Sequence, residues 1–147
     1  MSENKVKNYA TAIYQNAMTG IQSIRDIEGK VEDPGLKREL SRELDGFNKV
    51  AENLNKFSVD NDFVLKENNF LEKSRLWMSI NMATLMDSST RHIAEMMLLG
   101  TVMGLITCYK DKHDHKQVSE ELDKILEELE KMEDENYLKL KTFLKEI

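Results

Sequence analysis

The chain has 147 residues, of which 40% are hydrophobic and 33% charged, and a formal net charge of −6 with a pI near 5.2. That length suits one domain, 1–147, with its own core. The acidic balance argues against a nucleic-acid partner, which usually meets a basic patch, and against docking on anionic lipid.

Only one proline, Pro34, and six glycines interrupt a sequence rich in Glu, Lys, Leu and Met. Such a composition favours helices, so an all-α fold is expected. The single cysteine, Cys108, cannot form an internal disulfide and fits a reducing compartment. The opening residues MSENKVKNYA carry no apolar signal region. Together these features lead to the expectation of a soluble, cytoplasmic protein of bacterial type.

The first helix is expected over about residues 4–28, with Val6, Tyr9, Ala10, Ile13, Ala17, Gly20, Ile21, Ile24 and Ile27 as its stripe. Gly29 is expected to stop it. Asp33-Pro34 then gives an N-cap followed by proline at the first helical position. The second helix, about 34–57, carries Leu36, Leu40, Leu44, Phe47, Val50, Ala51 and Leu54, with Gly46 inside it; a bend or a crowded contact would explain that glycine. The short loop makes the first two helices an antiparallel hairpin. Loop composition follows over 58–69, and then a helix over about 70–86. Asp87-Ser88-Ser89-Thr90 can cap the next helix, about 89–112, although one continuous helix over 70–112 stays open. A last helix is expected over about 117–145, its stripe drifting after Met132.

The run from Thr90 to Tyr109 is apolar on nearly every side. Ile93, Met96, Met97, Gly100, Gly104 and Thr107 share one side, and Leu98, Leu99, Val102, Leu105 and Ile106 the other. Such a helix is expected to be buried. Glu95, the two glycines and the flanking charges count against a membrane span. Displacing the first helix onto this one aligns Ala10 with Ala94, Ile13 with Met97 and Gly20 with Gly104. Leu40, Leu44 and Phe47 align with Leu122, Leu126 and Leu129 in the same manner. Two similar hairpins predict a four-helix bundle with one crossover. Within it, Ala17 and Gly20 are expected to face Gly100 and Gly104 across a close helix contact.

The segments IYQNAMTGI, VEDPGLKRELSREL and STRHIAEMMLLGTVMGLI give the chain its resemblance to the ferritin-like superfamily. It looks most like small ferritin-like proteins of spore-forming bacteria that have no characterised function. The resemblance covers most of the chain and implies an antiparallel four-helix bundle with an additional crossover helix between the hairpins. Its apolar and small residues specify fold and not activity. Di-iron members need a glutamate from each of two helices and Glu-x-x-His from the other two. Here the first helix has only Glu3 and Glu28 at its ends, and the second has Glu39, Glu43 and Glu52 but no histidine. Glu95 follows His92 in reversed order, and the last helix has no histidine. The ligand set does not carry over, and no metal or other cofactor is expected.

Other groups have a plainer role beside a functional one. Glu95 in apolar surroundings, with Arg91 and His92 beside it, is a candidate buried polar site or an ion pair. His113-Asp114-His115 can clip a metal weakly but fits a solvated loop better. Cys108 has no histidine near it along the helix and is expected to be an inert buried thiol. Met78, Met82, Met86, Met96, Met97 and Met103 fill a core or form an adaptable apolar surface. No phosphate loop or nucleophile elbow occurs.

The sequence therefore leads to a non-enzymatic bundle acting as a structural or protein-interaction module. The alternatives are a degenerate metal-binding or oxidative-stress protein, and a binder of a small apolar ligand. The surplus apolar strip of Leu76, Trp77, Ile80 and Ala83 leads to the expectation of a homodimer through the connecting helix.

Overall fold

The computed structural model describes residues 2–65 and 89–145. The helix expected over 70–86 and the interface residues Leu76, Trp77, Ile80 and Ala83 lie outside the described residues. The described residues form four long helices and no strand. They are α1 (Ser2–Ile27), α2 (Pro34–Asp60), α3 (Thr90–Asp114) and α4 (Glu120–Thr142).

Local chemistry sets the helix starts. Asp33 accepts from the Leu36 amide at 2.8 Å, with Pro34 at the first helical position. Ser89, in extended backbone at φ −60°, ψ 153°, accepts from the His92 amide at 3.3 Å. A helix therefore starts afresh at Thr90, which answers whether one helix could continue through this point. Ser119 does the same for α4 through the Leu122 amide at 3.2 Å. Its first turn holds Glu120, Glu121 and Asp123 and its last turn Lys139 and Lys141, each facing the helix-dipole end of opposite sign.

Where the helix ends depart from expectation, three have a local cause. Gln117 has φ 61°, in the left-handed region, so the last helix cannot begin there and waits for the Ser119 cap. The second helix runs on to Asp60, because Phe57 and Ser58 are buried and hold its last turn in the core. Gly29 does not end α1 through a left-handed turn, since no glycine has positive φ. The helix instead tightens into a 3₁₀ turn over Glu28–Lys30, closed by the Val31 amide donating to the Glu28 carbonyl at 3.2 Å.

Contacts between helices fix their directions. Gly20 lies under Phe47, so α1 and α2 form an antiparallel hairpin. Arg42 reaches Asn136 and Gly35 lies near Phe143, so α2 and α4 are antiparallel. Asn16 reaches Gly104 while Tyr9 stacks on His115 at 4.7 Å, so α1 and α3 are antiparallel. The order is up, down, down, up, and α2 ends at the opposite end of the bundle from the start of α3. One core runs through it, from Tyr9, Ile13, Ile24 and Leu36 to Leu54, Ile93, Leu126 and Leu140.

The expected faces hold for most of α3. Ile93, Met96, Met97 and Gly104 are buried. The expectation that this helix is covered all round is corrected: Leu99, Val102, Met103, Ile106 and Tyr109 are exposed, because α1 and α4 both pack on its other side. By length and composition α3 would suffice to cross a membrane, with mean hydropathy 1.4 over its most apolar window. The core helix of a bundle meets the same criterion, and here α3 also buries Asp111.

Candidate functional site

Helix periodicity puts polar residues into the core at one level of the bundle. On α2 the buried positions run Leu36, Leu40, Glu43, Phe47, Val50 and Leu54, alternating steps of four and three. Glu43 occupies a core slot and is 1% exposed. On α4 the buried positions run Leu122, Leu126, Leu129, Glu133, Asn136 and Leu140. Glu133 is 3% exposed and Asn136 fully buried. Asn16 takes a similar place on α1, beside Ala17.

These side chains make two connected clusters. Arg42 donates to both carboxylate oxygens of Glu39, from Nε at 3.0 Å and Nη2 at 2.6 Å, and Nη2 also donates to Asn136 Oδ1 at 3.0 Å. Asn136 Nδ2 donates to Glu133 Oε1 at 3.0 Å. On the other side, Asn16 Nδ2 donates to the Gly104 carbonyl at 3.1 Å and reaches Cys108 Sγ at 3.5 Å. Gly104 lets the second oxygen of Glu133 lie against the α3 backbone, in the space a Cβ would fill. No donor among the described residues reaches that oxygen, and Glu43 Oε2 is fully buried with no partner.

Burial dominates the electrostatics. It pushes Glu133 up to about 8, against the hydrogen bond from Asn136. Burial, and next the adjoining Glu39 carboxylate, push Glu43 well above the carboxylate range. Burial also acts to raise Glu39, but the hydrogen bonds from Arg42, and next that from Glu43, outweigh it and hold Glu39 below its ordinary value. At neutral pH, Glu43 and most Glu133 are therefore protonated and Glu39 is the anion. Burial raises Asp111 to about 6, assisted by Asp114. The same effect, with Glu133 next, raises Cys108 to about 12, which keeps the thiol protonated and poorly nucleophilic.

Beside this polar layer, between α1 and α3, lies a cleft of about 230 Å³. Asn16, Thr19, Gly20 and Ser23 line one wall and Met96, Met97, Gly100, Met103 and Thr107 the other. Phe47, Glu43 and Glu133 reach it from the second layer of helices, and the exposed Lys110 stands at its edge. An apolar cleft with a few convergent polar groups is the usual form of a small-molecule site.

The anticipated close contact of small residues is thus corrected. Ala17 is fully buried, but Gly20 makes room for Phe47, which would stand 2.5–2.7 Å from an added Cβ. Gly104 makes room for Glu133, and Gly100 has nothing within 4 Å. Each hairpin fills its glycine from its own partner helix, and Gly20, Gly100 and Gly104 line a cleft between α1 and α3, which meet at Gly104 through Asn16. Gly46 shows the crowded alternative, with Met132 packed over it.

The candidate polar site at Glu95 is also corrected. Glu95 and Arg91 are exposed and His92 is half-buried, because this face of α3 turns away from α1 and α4. His113 is exposed while His115 is stacked on Tyr9, whose hydroxyl donates to Asp123 at 2.6 Å. Among the described residues no group of three or more His, Cys, Asp or Glu is arranged to hold a metal ion. Apolar periodicity does not register the buried carboxyls, because a glutamate in a core slot carries no apolar signal. On α2 the expected stripe passes through Leu44, which is half-buried, while Glu43 takes the core slot; on α4 the only signal is the drift of the stripe after Met132. No family model, curated protein or solved structure matches the chain.

Proposed function

We propose that this protein is a ferritin-like bundle that binds a small, mostly apolar molecule in the cleft between α1 and α3. The cleft itself carries the reading: it has apolar walls, and two carboxyl groups more than nine-tenths buried line it. Its volume exceeds the ~150 Å³ of an apolar cavity that admits benzene. The up-down-down-up order, with a connection joining opposite ends, supports the ferritin-like part.

A di-iron centre does not fit these residues. Asn136 stands three places after Glu133, where the pattern needs an imidazole, and Arg42 donates to Glu39 and Asn136. A guanidinium in that layer supplies positive charge without a metal. The buried thiol and protonated carboxyls offer no activated nucleophile, which supports binding without catalysis.

The test is native mass spectrometry of untagged protein, followed by thermal shift against small apolar compounds. Gly100→Leu should fill the cleft without a clash and remove both the bound mass and the shift. A wild-type chain that carries no molecule and responds to no compound would overturn the proposal.

A second reading, as an interaction module, draws on the outer face of α3. Leu99, Met103, Ile106 and Tyr109 are each at least half exposed. A second copy presenting the same face would cover them about a twofold axis.

A further inference from the structure

Resting on the ligand-binding reading above, the floor of the cleft narrows the class of ligand. Glu43 Oε2 is buried with no hydrogen-bond partner, and the Glu133 oxygen lying against Gly104 also lines the cleft without a donor among the described residues. A buried carboxyl oxygen without a partner is costly, and the deficit is met most directly by a ligand that brings N–H groups to the ionised carboxylate. The remaining surface, Phe47, Met96 and Met97, is apolar and includes two polarizable thioethers, which suit an alkyl or aromatic body.

We propose that the cleft takes a small organic amine, its ammonium nitrogen meeting the Glu43 and Glu133 carboxyl groups and its apolar body lying against Phe47, Met96 and Met97.

The surrounding charges agree with this assignment. From α2, Glu39 shares a side-chain hydrogen bond with Glu43, and Arg42 is engaged by Glu39, Asn136 and Glu135, which leaves Glu43 Oε2 and the Glu133 oxygen to a ligand. From α3, Cys108 stays protonated, Asp111 adds negative charge, and Lys110 is exposed at the edge. From α4, Asp134 is exposed and Glu130 is paired with Lys112. From α1 the cleft receives the neutral Asn16, Thr19 and Ser23. An ammonium group entering the floor favours the ionised carboxylates, and a proton displaced from Glu43 or Glu133 leaves to solvent.

Isothermal titration with 2-phenylethylamine and hexylamine, each beside its isosteric neutral alcohol, tests the assignment. In the wild-type chain each amine should bind about tenfold or more tightly than its alcohol, as expected of a charge-assisted hydrogen bond in a dry site. Glu133→Gln and Glu43→Gln should each reduce that preference, and the double variant should abolish it. Glutamine keeps the shape of a protonated glutamate, and retained alcohol binding in the variants would show that the cleft is intact. Equal affinity for amine and alcohol in the wild-type chain would overturn the amine assignment and leave the ligand-binding reading standing. So would a preference that survives the double variant. Failure of all four compounds to bind would overturn both.

Discussion

Glu133 and the glycines opposite it show how single residues set the properties of this bundle. The Glu133 carboxyl has its ordinary value of 4.5 in the unfolded chain and about 8 in the fold. Between those values the folded state holds the extra proton, so stability from this group is full below the lower value and is lost as pH rises through the upper one. Glu133→Gln should therefore flatten the pH dependence, gaining about 2–4 kcal/mol on the wild type between pH 5 and pH 9. Urea unfolding at both pH values checks this; parallel profiles for the two proteins would refute it. The glycines of α3 give a paired test. Gly104→Ala should cost about 1–3 kcal/mol, because the new methyl meets the Glu133 carboxylate and Asn16. Gly100→Ala meets nothing and should gain up to ~1 kcal/mol from helix propensity. Equal stability of the two variants would show that Glu133 is free to swing away.

At the scale of the elements, a stripe is defined by its slots and not only by its apolar residues. α2 and α4 keep their core period through Glu43, Glu133 and Asn136 because Arg42 and the opposing helices supply partners or space there. Arg42→Ala should cost about 2–3 kcal/mol, since it leaves a nearly buried Glu39 carboxylate without its two hydrogen bonds. Arg42→Lys should recover only part of that, because an ammonium cannot reproduce the paired geometry. Thermal melts of the three proteins would rank them; a lysine variant equal to wild type would mean that charge alone suffices. The repeat between the hairpins is visible in burial as well as in sequence. Ala10 and Ala94 are both fully buried, and Leu40 and Leu122 nearly so.

For the whole molecule, the outer face of α3 predicts self-association. Sedimentation at micromolar concentration should show a dimer, and Ile106→Glu should return it to a monomer with helicity retained; a wild-type mass near 17.1 kDa would refute the dimer. The sequence by itself determined that the chain is helical, where α2 is capped, which positions of α1 and α2 are apolar core, and which side of α3 faces inward. Those properties follow from the 3.6-residue period and from short-range capping chemistry, both of which act within a few residues. Tertiary structure alone decided what the glycines are for, that Glu95 faces solvent, and that Asn16, Glu43, Gly104 and Glu133 meet at one level. The physical reason is distance along the chain: Asn16 and Glu133 are brought to the same layer by the packing of four helices, and no local pattern encodes which side chain fills the space above a given glycine. The cleft is a property of that packing. Phe47 and Glu133 occupy the glycine spaces within each hairpin, and both line the cleft between α1 and α3.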